Sequence, residues 1–154
     1  MKIKKAALKG FNSFIGIGVL CILQMYFKGD FVLLTGAFGA TSVLLFAAPE
    51  SPLAQRKNMY CGHLVSAIVG VTCYKILFDL SPEFAVASSV GLSIFLMSAL
   101  NILHPPGGAT AYIAVYGNST IHELGYAYVF IPVLIGIFLL DNIQQTQTKL
   151  TDEN

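Results

Sequence analysis

The stretch Asn101-Ile102-Leu103-His104-Pro105-Pro106-Gly107-Gly108-Ala109-Thr110 interrupts a hydrophobic run that is free of formal charge from Phe84 to His122. Pro105 excludes His104 from the α region, and neither proline has an N–H to donate. The two glycines allow a sharp bend or the close approach of another backbone. A helix restarting near Gly107–Ala109 would leave unpaired N–H groups in its first turn. Such a terminus carries partial positive charge and favours an anion. Two readings fit the residue types: a surface loop with His104 at the headgroups, or a broken, re-entrant helix whose backbone is satisfied by protein or water. The short apolar segment that follows, Gly107–Tyr116, favours the second.

Outward from the break the chain is apolar throughout. Hydrophobic residues make up 55% and charged residues 11%, under half the roughly 25% charge of a soluble domain. That is too little charge to coat a soluble surface. Five long apolar runs, Phe11–Phe27, Phe31–Ala48, Met59–Phe78, Phe84–Leu103 and Leu124–Leu140, each approach the roughly 17–25 residues that cross a bilayer. None alternates with period two, which excludes a β-barrel. The expected fold is an all-α, polytopic membrane domain of five to six spanning or broken helices. It occupies residues 11–140 between a basic amino terminus (1–10) and a polar tail (141–154).

The punctuation adds detail. Lys28-Gly29-Asp30 reads as a tight turn between two spans, and Pro49 through Asn58 as a longer polar loop. Ser81 is the expected N-cap of the fourth run, with Pro82 at its first helical position. Lys2, Lys4, Lys5 and Lys9 share one side with Arg56 and Lys57, against Lys28 and Lys75. The positive-inside rule therefore predicts a cytoplasmic amino terminus. The side of the carboxyl terminus depends on whether Leu103–Tyr116 crosses or turns back. Tyr26, Tyr60, Tyr74 and Tyr126–Tyr128 suit interfacial belts. Cys21, Cys61 and Cys73 form no C-x-x-C pair and read as reduced, buried thiols.

A shift of 69 positions lays Gly39-Ala40-Thr41 over Gly108-Ala109-Thr110, and matches the hydropathy of 11–78 to that of 80–147. Interrupted segments at matching positions characterise inverted-repeat transporters. Gly36 and Ala37 read as packing residues. Gly39, Ala40, Thr41 and Ser42 offer backbone N–H groups and hydroxyls to a small polar solute, as do Gly107, Gly108, Ala109 and Thr110. His63, one turn into a span, demands a buried partner. His63 and His104 each fit a structural role, a hydrogen bond to substrate or proton carriage, whereas His122 reads as a solvated surface residue. The histidine spacing suits no zinc site, and no catalytic or nucleotide-binding fingerprint occurs. No cofactor, metal, nucleic acid or enzymatic activity is expected.

Leu103-His104-Pro105-Pro106-Gly107-Gly108-Ala109-Thr110-Ala111 resembles the signature of the HPP family of integral membrane proteins. So do Gly36-Ala37-Phe38-Gly39-Ala40-Thr41, Ala48-Pro49-Glu50-Ser51-Pro52-Leu53-Ala54-Gln55, Asn58 and Gly62-His63, in the right order. Arg56 departs from the pattern, since many members have proline there. The resemblance implies a compact multi-helix domain of bacteria and plastids, some of whose members are linked to nitrite transport. The expectation is a transporter or channel for a small inorganic anion, nitrite first, in a bacterial inner membrane. The anion would sit where Gly39–Ser42 meets Gly107–Thr110. A chain this small is expected to form a homo-oligomer, a dimer. A non-transporting scaffold fits the composition equally well, and a membrane enzyme less so.

Overall fold

The computed structural model describes residues 2–26 and 35–152. The expected turn at Lys28-Gly29-Asp30 and the start of the second apolar run lie outside the described residues. The described chain is helical without strands, an all-α polytopic membrane domain. It comprises α1 (Lys2–Tyr26), α2 (Gly36–Ser42, continued by a π-helical turn over Val43–Ala47), α3 (Arg56–Leu77), α4 (Pro82–Ala99), α5 (Pro105–Tyr116), α6 (Ser119–Leu124) and α7 (Ile135–Asp152). Helix α1 takes in the basic segment, so residues 2–10 are helical.

Four helical stretches are long and apolar enough to cross a membrane: α1, α3, α4 and Ser119–Leu150. That last stretch joins α6 to α7 through a 3₁₀ turn (Gly125–Val129) and a π-helical turn kinked at Ile131. Two elements are half-length. Gly36–Ala47 and the 12 residues of α5 each reach only about 18 Å, against a hydrocarbon core of about 30 Å.

Side-chain contacts fix the helix directions. Lys9 Nζ donates to Ala47 O at 2.6 Å and Phe46 packs on Gly16, so α2 runs back along α1. α5 runs with α3, because His104 lies against Gly62 while Ala111 and Ala114 lie against Gly70. α7 returns to the start of α3, where Arg56 Nε meets Asp141 Oδ1 at 2.9 Å. Gln147 also reaches Asn12 O at 3.4 Å. The carboxyl-terminal helix thus ends beside the beginning of α1, at the end of the bundle that carries Arg56, Lys57 and Lys149. The polar segment after Leu140 is helical through Asp152, and Asp141 at its head is buried, because Arg56 and Tyr60 satisfy its carboxylate.

In lipid there is little hydrophobic drive between helices, so close packing of small residues does the work. Gly62, Ser66 and Gly70 lie one above another on α3 and receive α5. A Cβ on Gly70 would stand 2.7 Å from Ala114 Cβ and 2.8 Å from Ala111 O. Gly107 is equally confined, since a Cβ there would stand 2.8 Å from Ser66 Oγ and 3.0 Å from Gly62 O. The α2 side is built differently. Phe38 seats its ring on Gly136 of α7 and joins Leu20, Leu45, Phe46, Met59, Ile137 and Leu140 in one cluster.

The expected start of α4 is present: Ser81 Oγ accepts from Phe84 N at 3.2 Å, with Pro82 in the first turn. The Pro49–Asn58 loop is shorter than expected. It contains a 3₁₀ turn at Pro52–Ala54, and Arg56 begins α3.

Candidate functional site

His104 has the extended backbone that a following proline imposes (φ −139°, ψ 102°) and caps α5. The helix starts at Pro105, two residues before the glycines. Its first two positions are prolines without N–H groups, and Gly107 N donates to His104 O at 2.8 Å. The free donors expected near Gly107–Ala109 are therefore absent or spent in the first three positions. The asset of this break is the side chains it delivers.

α2 and α5 lie antiparallel. Gly36 approaches Ile113, and Ala40, Val43 and Leu44 line one shallow apolar cavity with Pro105, Pro106 and Ala109. Between the two half-helices His63 projects from α3, making the buried contacts that its position demanded. Its Nε2 lies 2.9 Å from Thr41 Oγ1 and its Nδ1 lies 2.7 Å from Thr110 Oγ1. The threonines that the 69-position shift superposes thus hold opposite edges of one imidazole. Thr41, His63, His104 and Thr110 are each at most 1% exposed.

Each threonine also reaches back to its own helix, Thr41 to Ala37 O at 3.0 Å and Thr110 to Pro106 O at 3.3 Å. A hydroxyl has one proton to donate. If both threonines donate to their carbonyls, both accept from His63, which then carries two N–H groups. A neutral His63 requires one threonine to donate to the ring instead. The shorter ring contact and longer carbonyl contact belong to Thr110, which makes it the fitting donor. The cluster accommodates both protonation states by rotating one hydroxyl.

His104 stands beside this pair, with ring centres 4.9 Å apart. Its Nδ1 lies 2.8 Å from Leu53 O. Asn58 Nδ2 ties Pro52 O (3.0 Å) to Leu103 O (3.3 Å), docking the break onto the same 3₁₀ turn.

The other sequence candidates are distributed around this centre. Gly39 and Ala40 face outward, Gly108 and Ala109 are half-buried, and Ser42 Oγ is spent on Phe38 O at 2.9 Å. Gly107 packs against α3. Of the two packing candidates, Ala37 is buried and Gly36 exposed.

Tyr128 was expected in an interfacial belt, but it is fully buried and donates to Thr110 O at 3.1 Å. Its place in the second apolar half, with a polar tip needing a partner, was the available signal. His122 is not simply solvated: it stacks on Tyr74 at 3.9 Å and its Nε2 meets Val115 O at 3.1 Å.

Beyond the histidines, at the Arg56 end, two adjoining cavities of about 200 and 240 Å³ share Leu45, Pro49 and Gln144. Lys9 and Asn12 line one, Arg56 and Asp141 the other. Ala54 and Gln55 separate the second from the Leu53 carbonyl that holds His104.

The sequence comparison places this architecture. The model of the HPP transmembrane region matches residues 1–148. The chain belongs to the HPP family. This HPP chain is similar to two transmembrane proteins of Dictyostelium discoideum. One is 40% identical over 132 residues, covering 83% of this chain and 46% of the relative. The other is 41% identical over 129 residues, covering 81% and 41%. The chain spans less than half the length of these curated relatives. No solved structure matches it.

Proposed function

We propose that this HPP protein is a membrane carrier for a small inorganic anion, nitrite first, and that the solute is taken at the Thr41–His63–Thr110 clamp and the adjoining His104. The supporting observation is His63 held on both edges by matching threonines of two antiparallel half-helices. Helices that stop at mid-depth and meet on a polar residue are the substrate-site architecture of inverted-repeat transporters. α1 pairs with α4, α2 with α5 and α3 with α7 under the 69-position shift, and each pair runs in opposite directions. We read 11–78 and 80–147 as the two inverted repeats.

The centre is sealed, which suits an occluded carrier better than an open pore. Imidazole N–H and threonine O–H groups supply the donors that an anion needs. The polar cavities at the Arg56 end offer an approach from that side. By the positive-inside rule this end, with the start of α1 and the end of α7, faces the cytoplasm of a bacterial cell bounded by its inner membrane. The outward face of α2 and α5, with Gly36, Gly39, Ala40, Val43 and Tyr112 exposed, is the surface we assign to a homodimer. Crosslinking that recovers only monomer from native membranes contradicts the dimer.

The test of the carrier is flux. Reconstituted protein should take up nitrite, nitrate or formate faster than protein-free liposomes. Uptake of all three at the protein-free rate refutes the reading.

A further inference from the structure

We infer that transport by this protein is coupled to protons one-for-one with the anion, and that Nε2 of His104 is the atom that receives the proton. The inference rests on the carrier reading and adds the coupling ion and its seat.

The argument starts from the tautomer. A carbonyl oxygen only accepts, so the 2.8 Å contact with Leu53 O places the His104 proton on Nδ1. Nε2 is then the bare ring nitrogen. It is buried, its residue is 0% exposed, and it has no hydrogen-bond partner among the described residues. A buried acceptor left unsatisfied is costly and calls for an explanation. His63 is the opposite case, since both its nitrogens are engaged.

The surroundings decide what protonation would mean. α3 presents His63, the titratable side chain facing His104. The Pro52–Ala54 turn presents only the Leu53 carbonyl. From α4, Met97 Sδ lies at the Gly62–Gly107 junction. No carboxylate among the described residues pairs with either ring. Asp141 is committed to Arg56 and Tyr60, and Glu83 to Ser81.

A proton added at Nε2 therefore creates a buried cation without a resident counter-ion, which is unfavourable. A monovalent anion arriving alone would be equally unfavourable there. Together they cancel: one proton bonds to Nε2, one anion accepts from the new N–H, and the occupied centre is neutral. On release the N–H bond breaks, its electron pair returns to Nε2, and proton and anion leave on the same side.

The experiment uses full-length protein in liposomes with a luminal pH dye. An inward nitrite gradient is applied, a potassium–valinomycin potential is imposed or omitted, and protein-free liposomes correct for leak of nitrous acid. One proton should enter per nitrite, the rate should ignore the potential, and His104→Gln should abolish proton-coupled uptake. Nitrite uptake that follows the potential without proton entry overturns the coupling but leaves the carrier intact. No uptake above protein-free liposomes refutes the carrier itself, and with it this inference. Nitrogen-15 NMR of histidine-labelled wild-type protein checks the seat without any variant. A proton on Nδ1 of resting His104 supports it, and a proton on Nε2 alone overturns it.

Discussion

The two half-helices carry the same Gly-Ala-Thr triplet to the same histidine but are held in unlike ways. α5 lies backbone to backbone on the small residues of α3, so Gly70 faces Ala111 O and Gly107 faces Gly62 O. α2 is held by rings: Phe38 rests on Gly136 and Phe46 on Gly16. A ring can swing by a rotamer change, whereas a backbone contact gives only if the helix moves. α5 is thus the fixed wall of the clamp and α2 the adjustable one. In a carrier that must open on one side at a time, α2 is the part suited to release His63.

Substitutions can break this comparison or sharpen it. The largest effect is expected for Gly70→Ala, whose methyl group would press on α5 backbone. It should cost about 3 kcal/mol, at the upper end of overpacking penalties. Gly16→Ala, which presses on the Phe46 ring, should cost about 1 kcal/mol. Thermal unfolding in detergent reads both, and equal losses would erase the distinction between rigid and adjustable walls.

Thr41→Val and Thr110→Val each strip one edge of His63 and should cost about 1–2 kcal/mol for the unsatisfied nitrogen. Because they share one ring, the double variant should depart from the sum of the singles. Strict additivity in the same assay would mean that the half-helices are not joined through His63.

Smaller still is Arg56→Ala. The arginine side chain is 57% exposed while Asp141 is buried, so solvent screens the pair and the loss should be about 1 kcal/mol. Added salt should narrow the gap between wild type and variant. Ser81→Ala, far from both half-helices, removes an N-cap. It should cost up to about 1 kcal/mol and leave nitrite uptake unchanged in proteoliposomes.

Much of this difference was open to local reading. The double proline announced the break, the triplet marked both half-helices, and Ser81-Pro82 fixed the start of α4. The Gly62, Ser66, Gly70 face of α3 emerged only from the packing of α5 upon it. What sequence did not disclose was who meets whom. His63 needed a partner from the moment it fell inside a span, yet its partners stand 22 and 47 positions away. Asp141 resembled the first residue of a solvated tail because its compensating arginine lies 85 positions earlier. The donors imagined at the start of α5 failed for a local reason: prolines at the first two positions remove them.

The central claim is that Thr41 and Thr110, brought together on His63, form a transport site. Nitrite uptake by liposomes bearing wild type, Thr41→Val or Thr110→Val tests it most directly, with each protein first shown to be monodisperse in detergent. The account predicts uptake by wild type well above protein-free liposomes and its loss in both variants. Wild-type uptake at the protein-free rate, or folded valine variants that transport as wild type does, would contradict it.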